Sequence, residues 1–210
     1  VWAAENTREA IVAAMRRREV YATSGPRIAV RTYGGLNLPP TVLETPGFPD
    51  SIQTQAVPMG GEIMGAGVGD RFSLAIEAQA DPKSGQLDRI QVVKGWIDAT
   101  GETQERVYDA AWSGDDRLLP DGSLAAVGSS VDLNTGLTAN TIGSPRLTAV
   151  WQDPEFDPAQ SAFYYVRVLQ IPTARHSLLD KLALGNEDID TRRPDTIQER
   201  AYTSPIWYRP

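Results

Sequence analysis

The sequence predicts a mainly β protein, an immunoglobulin-like β-sandwich with an N-terminal helix and long irregular loops. Three observations carry that prediction. Ala162–Ile171 is dense in β-branched and aromatic residues, interrupted only by Arg167 and Gln170 and stopped at once by Pro172. About five to seven such segments follow one another with turn signals between them. Only two stretches, both short, show a helical pattern.

In chain order, Glu5–Arg18 reads as the first helix. Asn6 and Glu9 have capping-box spacing, and Ile11, Ala14 and Met15 form its apolar stripe. Arg16, Arg17 and Arg18 suit the negative end of the helix dipole and are read as a solvated helix end in preference to an anion site. Val20–Thr23 is extended, Ser24-Gly25-Pro26 is a turn, and Arg27–Tyr33 alternates Ile28, Val30 and Thr32 against Ala29, Arg31 and Tyr33 as a half-buried strand. Gly34–Gly61, with its clustered Pro and Gly, reads as one long irregular excursion. Arg71–Ala80 is a strand with Phe72, Leu74, Ile76 and Ala78 inward and Ser73, Glu77 and Gln79 outward. Leu87–Trp96, Thr103–Trp112 and Arg146–Trp151 are further strands, and Ser113–Ser144 is loop-like.

The strand Ala162–Ile171 carries apolar groups on both faces, the pattern of a central strand covered on both sides. Phe163 and Tyr165 are expected in the core, and Tyr164 and Tyr165 are similar in pattern to a tyrosine corner. Ser177–Leu184 reads as a short helix ending at Gly185. Ile197–Tyr208 reads as a strand that Pro205 confines to a sheet edge.

Composition limits the function. The 210 residues include no Cys, which excludes disulfides, thiolate nucleophiles and Cys-ligated zinc. A net charge of −7 argues against nucleic acid or anionic membrane as partner. No apolar run approaches the roughly 20 residues that cross a bilayer. The first residue is Val1, without initiator Met or signal peptide. The chain is therefore expected to be a piece of a longer one, with cytoplasm and periplasm both open.

Chemistry-bearing residues are sparse. His176 is the one histidine; Ser177 beside it invites a Ser–His reading, but adjacent residues seldom meet in triad geometry and the sequence has no Gly-x-Ser-x-Gly elbow. Asp115-Asp116, Asp153/Glu155/Asp157 and Glu187/Asp188/Asp190 are candidate calcium clusters, but none has the EF-hand ladder. Asp153–Pro158 is better explained by Asx-turns and proline. The glycines at 65, 67 and 69 precede neither a helix nor a Lys-Ser/Thr pair, which argues against a phosphate cradle. A hydrolytic carboxylate pair is defined by separation in space, which a sequence does not give. No catalytic residue, metal ligand or cofactor is assigned. Lys94, Trp96 and Trp112 are the candidate binding residues, although five Trp are enough to build a core and a place in it is the favoured role.

Several segments, in order along the whole chain, resemble one bacterial family. They are Asn6-Thr7-Arg8-Glu9-Ala10-Ile11, Tyr21-Ala22-Thr23-Ser24-Gly25-Pro26-Arg27-Ile28, Val57-Pro58-Met59-Gly60-Gly61, Leu87–Trp96, Ala111-Trp112-Ser113-Gly114-Asp115, Phe163–Leu169 and Gln198–Tyr208. The family is known as domain of unknown function 3604, and it resembles PHP-type metallohydrolases whose barrel binds divalent metals through His, Asp and Glu. No residue of this chain matches those metal motifs. Ala174-Arg175-His176 also departs from the Pro-Arg-Trp expected there.

The resemblance implies that residues 1–28 are the helix and exit turn of an upstream barrel and that residues 29–210 are the sandwich. The sandwich would pack on the barrel and line its cleft without catalysing. Its partner would be that barrel, with self-association through the N-terminal helix when the barrel is missing. The alternative is an independent glycan- or protein-binding module, for which a row of exposed Trp and Tyr on one face would be the sign.

Overall fold

The structure, a computed structural model, describes residues 1–185 and 192–210. The helix α1 (Arg8–Arg16) is followed by β1 (Tyr21–Thr23), β2 (Ala29–Leu36), β3 (Ala56–Pro58), β4 (Glu62–Met64) and β5 (Phe72–Gln79). The long pair β6 (Leu87–Ile97) and β7 (Thr103–Trp112) comes next, then β8 (Arg146–Gln152) and β9 (Ala162–Gln170). The chain closes through β10 (Thr173–Ala174), α2 (His176–Leu184), β11 (Thr196–Ile197), β12 (Arg200–Thr203) and β13 (Ile206–Arg209).

Two sheets face each other as a β-sandwich. The smaller has the order β3-β2-β5-β8. In the larger, β9 is central, with β6 and then β7 on one side. On its other side β12 and β13 lie end to end, flanked by β1 and by β4, the last pairing parallel to β13. The shared core is built from Val30, Phe72, Leu74, Ile76, Ile90, Val92, Val166, Val168 and Ile206. Phe72 and Tyr164 stack across it, 3.9 Å between centroids at 14°. Burial of such side chains contributes roughly 1.5–3 kcal/mol each.

Several sequence expectations are corrected. The Ala162–Ile171 segment is central, but Tyr164, Val166 and Val168 face the core, while Phe163 and Tyr165 are half-buried on the outer face. Pro205 does not mark an edge: both halves of its strand are paired on both sides. The ladder gap at Ser204-Pro205 is filled because Val166 N donates to Thr203 Oγ1 at 3.0 Å. A side-chain acceptor there replaces the missing backbone partner.

Gly34 and Gly35 lie inside β2, not in a loop. A Cβ on Gly34 would come within 3.0 Å of Ile206, and one on Gly35 within 2.5 Å of the Gln55 carbonyl oxygen. These glycines therefore permit close packing in a strand. The following excursion folds Leu38, Val42 and Ile52 over the outer face of β5, where Ala75 and Ser73 are buried instead of exposed. The N-cap of α1 is Thr7, whose hydroxyl accepts from Ala10 N at 3.3 Å, so Asn6 and Glu9 do not form the expected box. Residues 113–144 carry only isolated bridges, as expected of a loop-like stretch.

The reversal of faces on β9 has a direct test. Tyr164→Ala should cost about 3–5 kcal/mol in denaturant unfolding, and Phe163→Ala less than about 2 kcal/mol. Equal losses would contradict this orientation.

Candidate binding groove and buried ionic nodes

Alternation on β6 turns Val92, Lys94 and Trp96 toward the sandwich interior at one end. Lys94 is only 2% exposed. Its Nζ lies 2.6 Å from Asp153 Oδ2 and donates to the Glu155 carbonyl oxygen at 2.9 Å. Tyr164 OH donates to the same Asp153 Oδ2 at 2.7 Å, and Glu155 N donates to Oδ1 at 2.9 Å. The Tyr164 hydroxyl is thus tied to a carboxylate, where a tyrosine corner would bond backbone. Trp96 completes the surroundings, its ring 5.2 Å from Nζ.

At the rim, the Glu155 carboxylate pairs with Arg106 and accepts from Tyr108 OH at 3.1 Å. Burial, followed by the Glu155 hydrogen bond, pushes the Tyr108 phenol up to about 12. Burial, followed by the Asp153 charge, moves the Tyr164 phenol upward as well. Both hydroxyls stay protonated as donors.

A second buried node sits toward the other end of β6. Asp88, 1% exposed, lies 3.1 Å from Arg89 Nε and accepts from Gln198 Nε2 at 3.0 Å. Arg117 Nη1 approaches Asp88 Oδ1 at 2.7 Å, an ion pair without hydrogen-bond alignment. Arg117 also donates to the Ser113 and Ala125 carbonyls, both at 2.8 Å, and so ties down the base of the long loop.

Lys94 and Trp96 are therefore neighbours inside the fold. Trp112 is half-buried beside Arg89, roughly 24 Å further along the strand direction. His176 is exposed, and the Ser177 hydroxyl has no hydrogen-bond partner among the described residues. Among the described residues no three His, Asp or Glu side chains converge to hold a metal. Asp153 and Glu155 are engaged by Lys94, Arg106 and Tyr108, while Asp157 caps Ala159 N. Glu187, Asp188 and Asp190 lie outside the described residues.

Sequence reasoning missed a groove of about 1080 Å³ on the outer face of the larger sheet. Backbone register places Glu105, Gly95, Phe163 and Trp207 in one row across β7, β6, β9 and β13. A Cβ on Gly95 would run into the Phe163 ring, so the glycine lets that ring lie against the sheet. Trp207, 39% exposed, stands beside it with centroids 5.4 Å apart. Tyr165 and Tyr202 continue the aromatic surface along the same face, 6.4 Å between centroids. A glycine inside a strand was the available signal, since it marks a close approach of another group.

Removing one partner of the Lys94–Asp153 pair should be strongly destabilising. Lys94→Met should cost about 3–5 kcal/mol, and adding Asp153→Asn should recover part of that loss. Unfolding free energies of the two single variants and the double variant check this. Additivity within about 0.5 kcal/mol would show the pair to be uncoupled.

Comparison with known proteins adds one positive finding. No curated protein and no solved structure matches the chain. The family model described as "Protein of unknown function (DUF3604)" matches residues 1–210. With that match covering its full length, the chain belongs to the DUF3604 family.

Proposed function

We infer that this chain is the non-catalytic C-terminal sandwich part of a metal-dependent, PHP-like hydrolase. In this reading residues 1–28 lead out of the catalytic barrel, and residues 29–210 pack on it and line its cleft. The sandwich holds no metal or cofactor of its own. Its immunoglobulin-like character belongs to the same proposal, supported by two facing, mainly antiparallel sheets.

The observation that carries the reading is the state of α1. Ala14 is its one buried residue, while Val12 and Met15 are 40% and 56% exposed. The segment is nevertheless fixed at both ends. Trp2 Nε1 donates to the Val30 carbonyl at 2.8 Å, and Arg18 Nε donates to the Gly60 carbonyl at 3.0 Å. Arg31 also lies over the Trp2 ring at 3.9 Å. A short helix held in place with apolar residues outward is suited to dock on another body. The interior supports a scaffolding role as well, because Lys94, Asp153, Asp88 and Arg117 are engaged with one another or with neighbours.

After dialysis, the chain should carry no stoichiometric zinc or manganese and should not turn over nitrophenyl phosphate or nitrophenyl esters. Without the barrel, sedimentation velocity from micromolar to near-millimolar protein should show self-association that Met15→Glu abolishes. A stoichiometric metal, or turnover lost on substituting a residue of this chain, would overturn the non-catalytic reading. A chain that stays monomeric throughout would remove α1 as the docking element.

A further inference from the structure

We propose that the groove on the outer face of the larger sheet binds a neutral oligosaccharide, with Phe163 and Trp207 as its stacking platform. The groove draws no residue from 1–28, so the site stands apart from the docking role of α1. Its volume of about 1080 Å³ reaches the upper end of small-ligand sites, roughly 300–1,000 Å³, enough for several sugar units.

The chemistry of the lining selects the ligand class. A pyranose presents C–H bonds on its faces and hydroxyls around its edge. It therefore needs a flat, electron-rich apolar floor with polar acceptors beside it. Each ring supplies one such facet, the two inclined at 52° with centroids 5.4 Å apart, and the exposed Ile97 extends the apolar surface. Acceptors stand at the rim. Glu105 shares the aromatic row through its register with Gly95. Gln104 Nε2 donates to Asp98 Oδ2 at 2.7 Å, and Gln160 Nε2 donates to the Ile97 carbonyl at 3.3 Å. Each amide is thus anchored through its nitrogen, leaving its carbonyl oxygen without a protein partner among the described residues. Anchored side chains lose little further freedom on binding.

Charge argues against the competing ligands. An anionic chain would meet Asp98, Glu105 and Asp157, while Arg209 is paired with Glu62. A cation would want rings enclosing a space, whereas these lie side by side on an open sheet. Two of the three carboxylates are also committed: Asp98 accepts from Thr100, Glu102 and Gln104, and Asp157 accepts from Ala159 N.

The test is calorimetric and fluorescence titration of the chain with cellohexaose, xylohexaose, mannohexaose and chitohexaose in its N-acetylated form. Hexagalacturonate and hexalysine serve as the anionic and cationic arms. At least one neutral hexaose should bind saturably. Trp207→Ala should weaken that binding roughly tenfold or more, while Trp207→Phe retains most of it. Near-UV circular dichroism establishes that both variants keep the fold. The proposal is overturned if no neutral hexaose binds, if Trp207→Ala leaves binding unchanged, or if a charged hexamer binds in preference through Trp207.

Discussion

An ammonium group enclosed in a sheet-on-sheet core is the constraint on which the rest of this architecture turns. Taking a charge out of water costs several kcal/mol, even after relaxation, unless partners replace the solvent. Lys94 meets that requirement with Asp153 Oδ2 and the Glu155 carbonyl, both from the connection between β8 and β9. The connection must therefore cross over the end of β6. There it also anchors Tyr164, and it places Phe156 between Phe72 and Tyr208, with ring centroids 6.1 and 4.8 Å away. The polar pair and the aromatic cluster close the same end of the sandwich.

That crossing has a consequence on the opposite face of the sheet. Having passed over β6, the connection continues through Asp157, Ala159, Gln160 and Ser161, which line one side of the outer groove. The groove floor is fixed independently by strand register, which aligns residues distant in sequence across four strands. A buried ion pair and a sheet register together define the concavity. Neither involves a residue poised for chemistry, which fits the proposed role of a scaffold with a recognition face.

The strand order along the chain was legible because alternation and turn residues report local structure. Arg71–Ala80 shows this: Phe72, Leu74, Ile76 and Ala78 are all buried as expected. What stayed hidden depends on tertiary partners. Both faces of Ala162–Ile171 are apolar, so nothing local could say that Tyr164 faces inward. Asp153 decides it, by offering the Tyr164 hydroxyl a buried acceptor. Gly34-Gly35 resembled a loop because the close approach of Ile206 and Gln55 is a long-range fact. Lys94, Trp96 and Trp112 read as binding candidates or core residues alike, because the partner that fixes Lys94, Asp153, is distant in sequence. Trp207 and Phe163 meet only through the β9–β13 register, which no local pattern encodes.

The central claim is that recognition belongs to the outer sheet face while the interior charges are structural. The five tryptophans give that claim a spatial readout, since each contributes one indole N–H resonance. Titration with the best-binding neutral hexaose should shift the indole signal of Trp207, which stands in the groove. Those of Trp2, Trp112 and Trp151 should stay in place. Shifts confined to Trp2, Trp112 or Trp151, or no shift at all, would contradict the account.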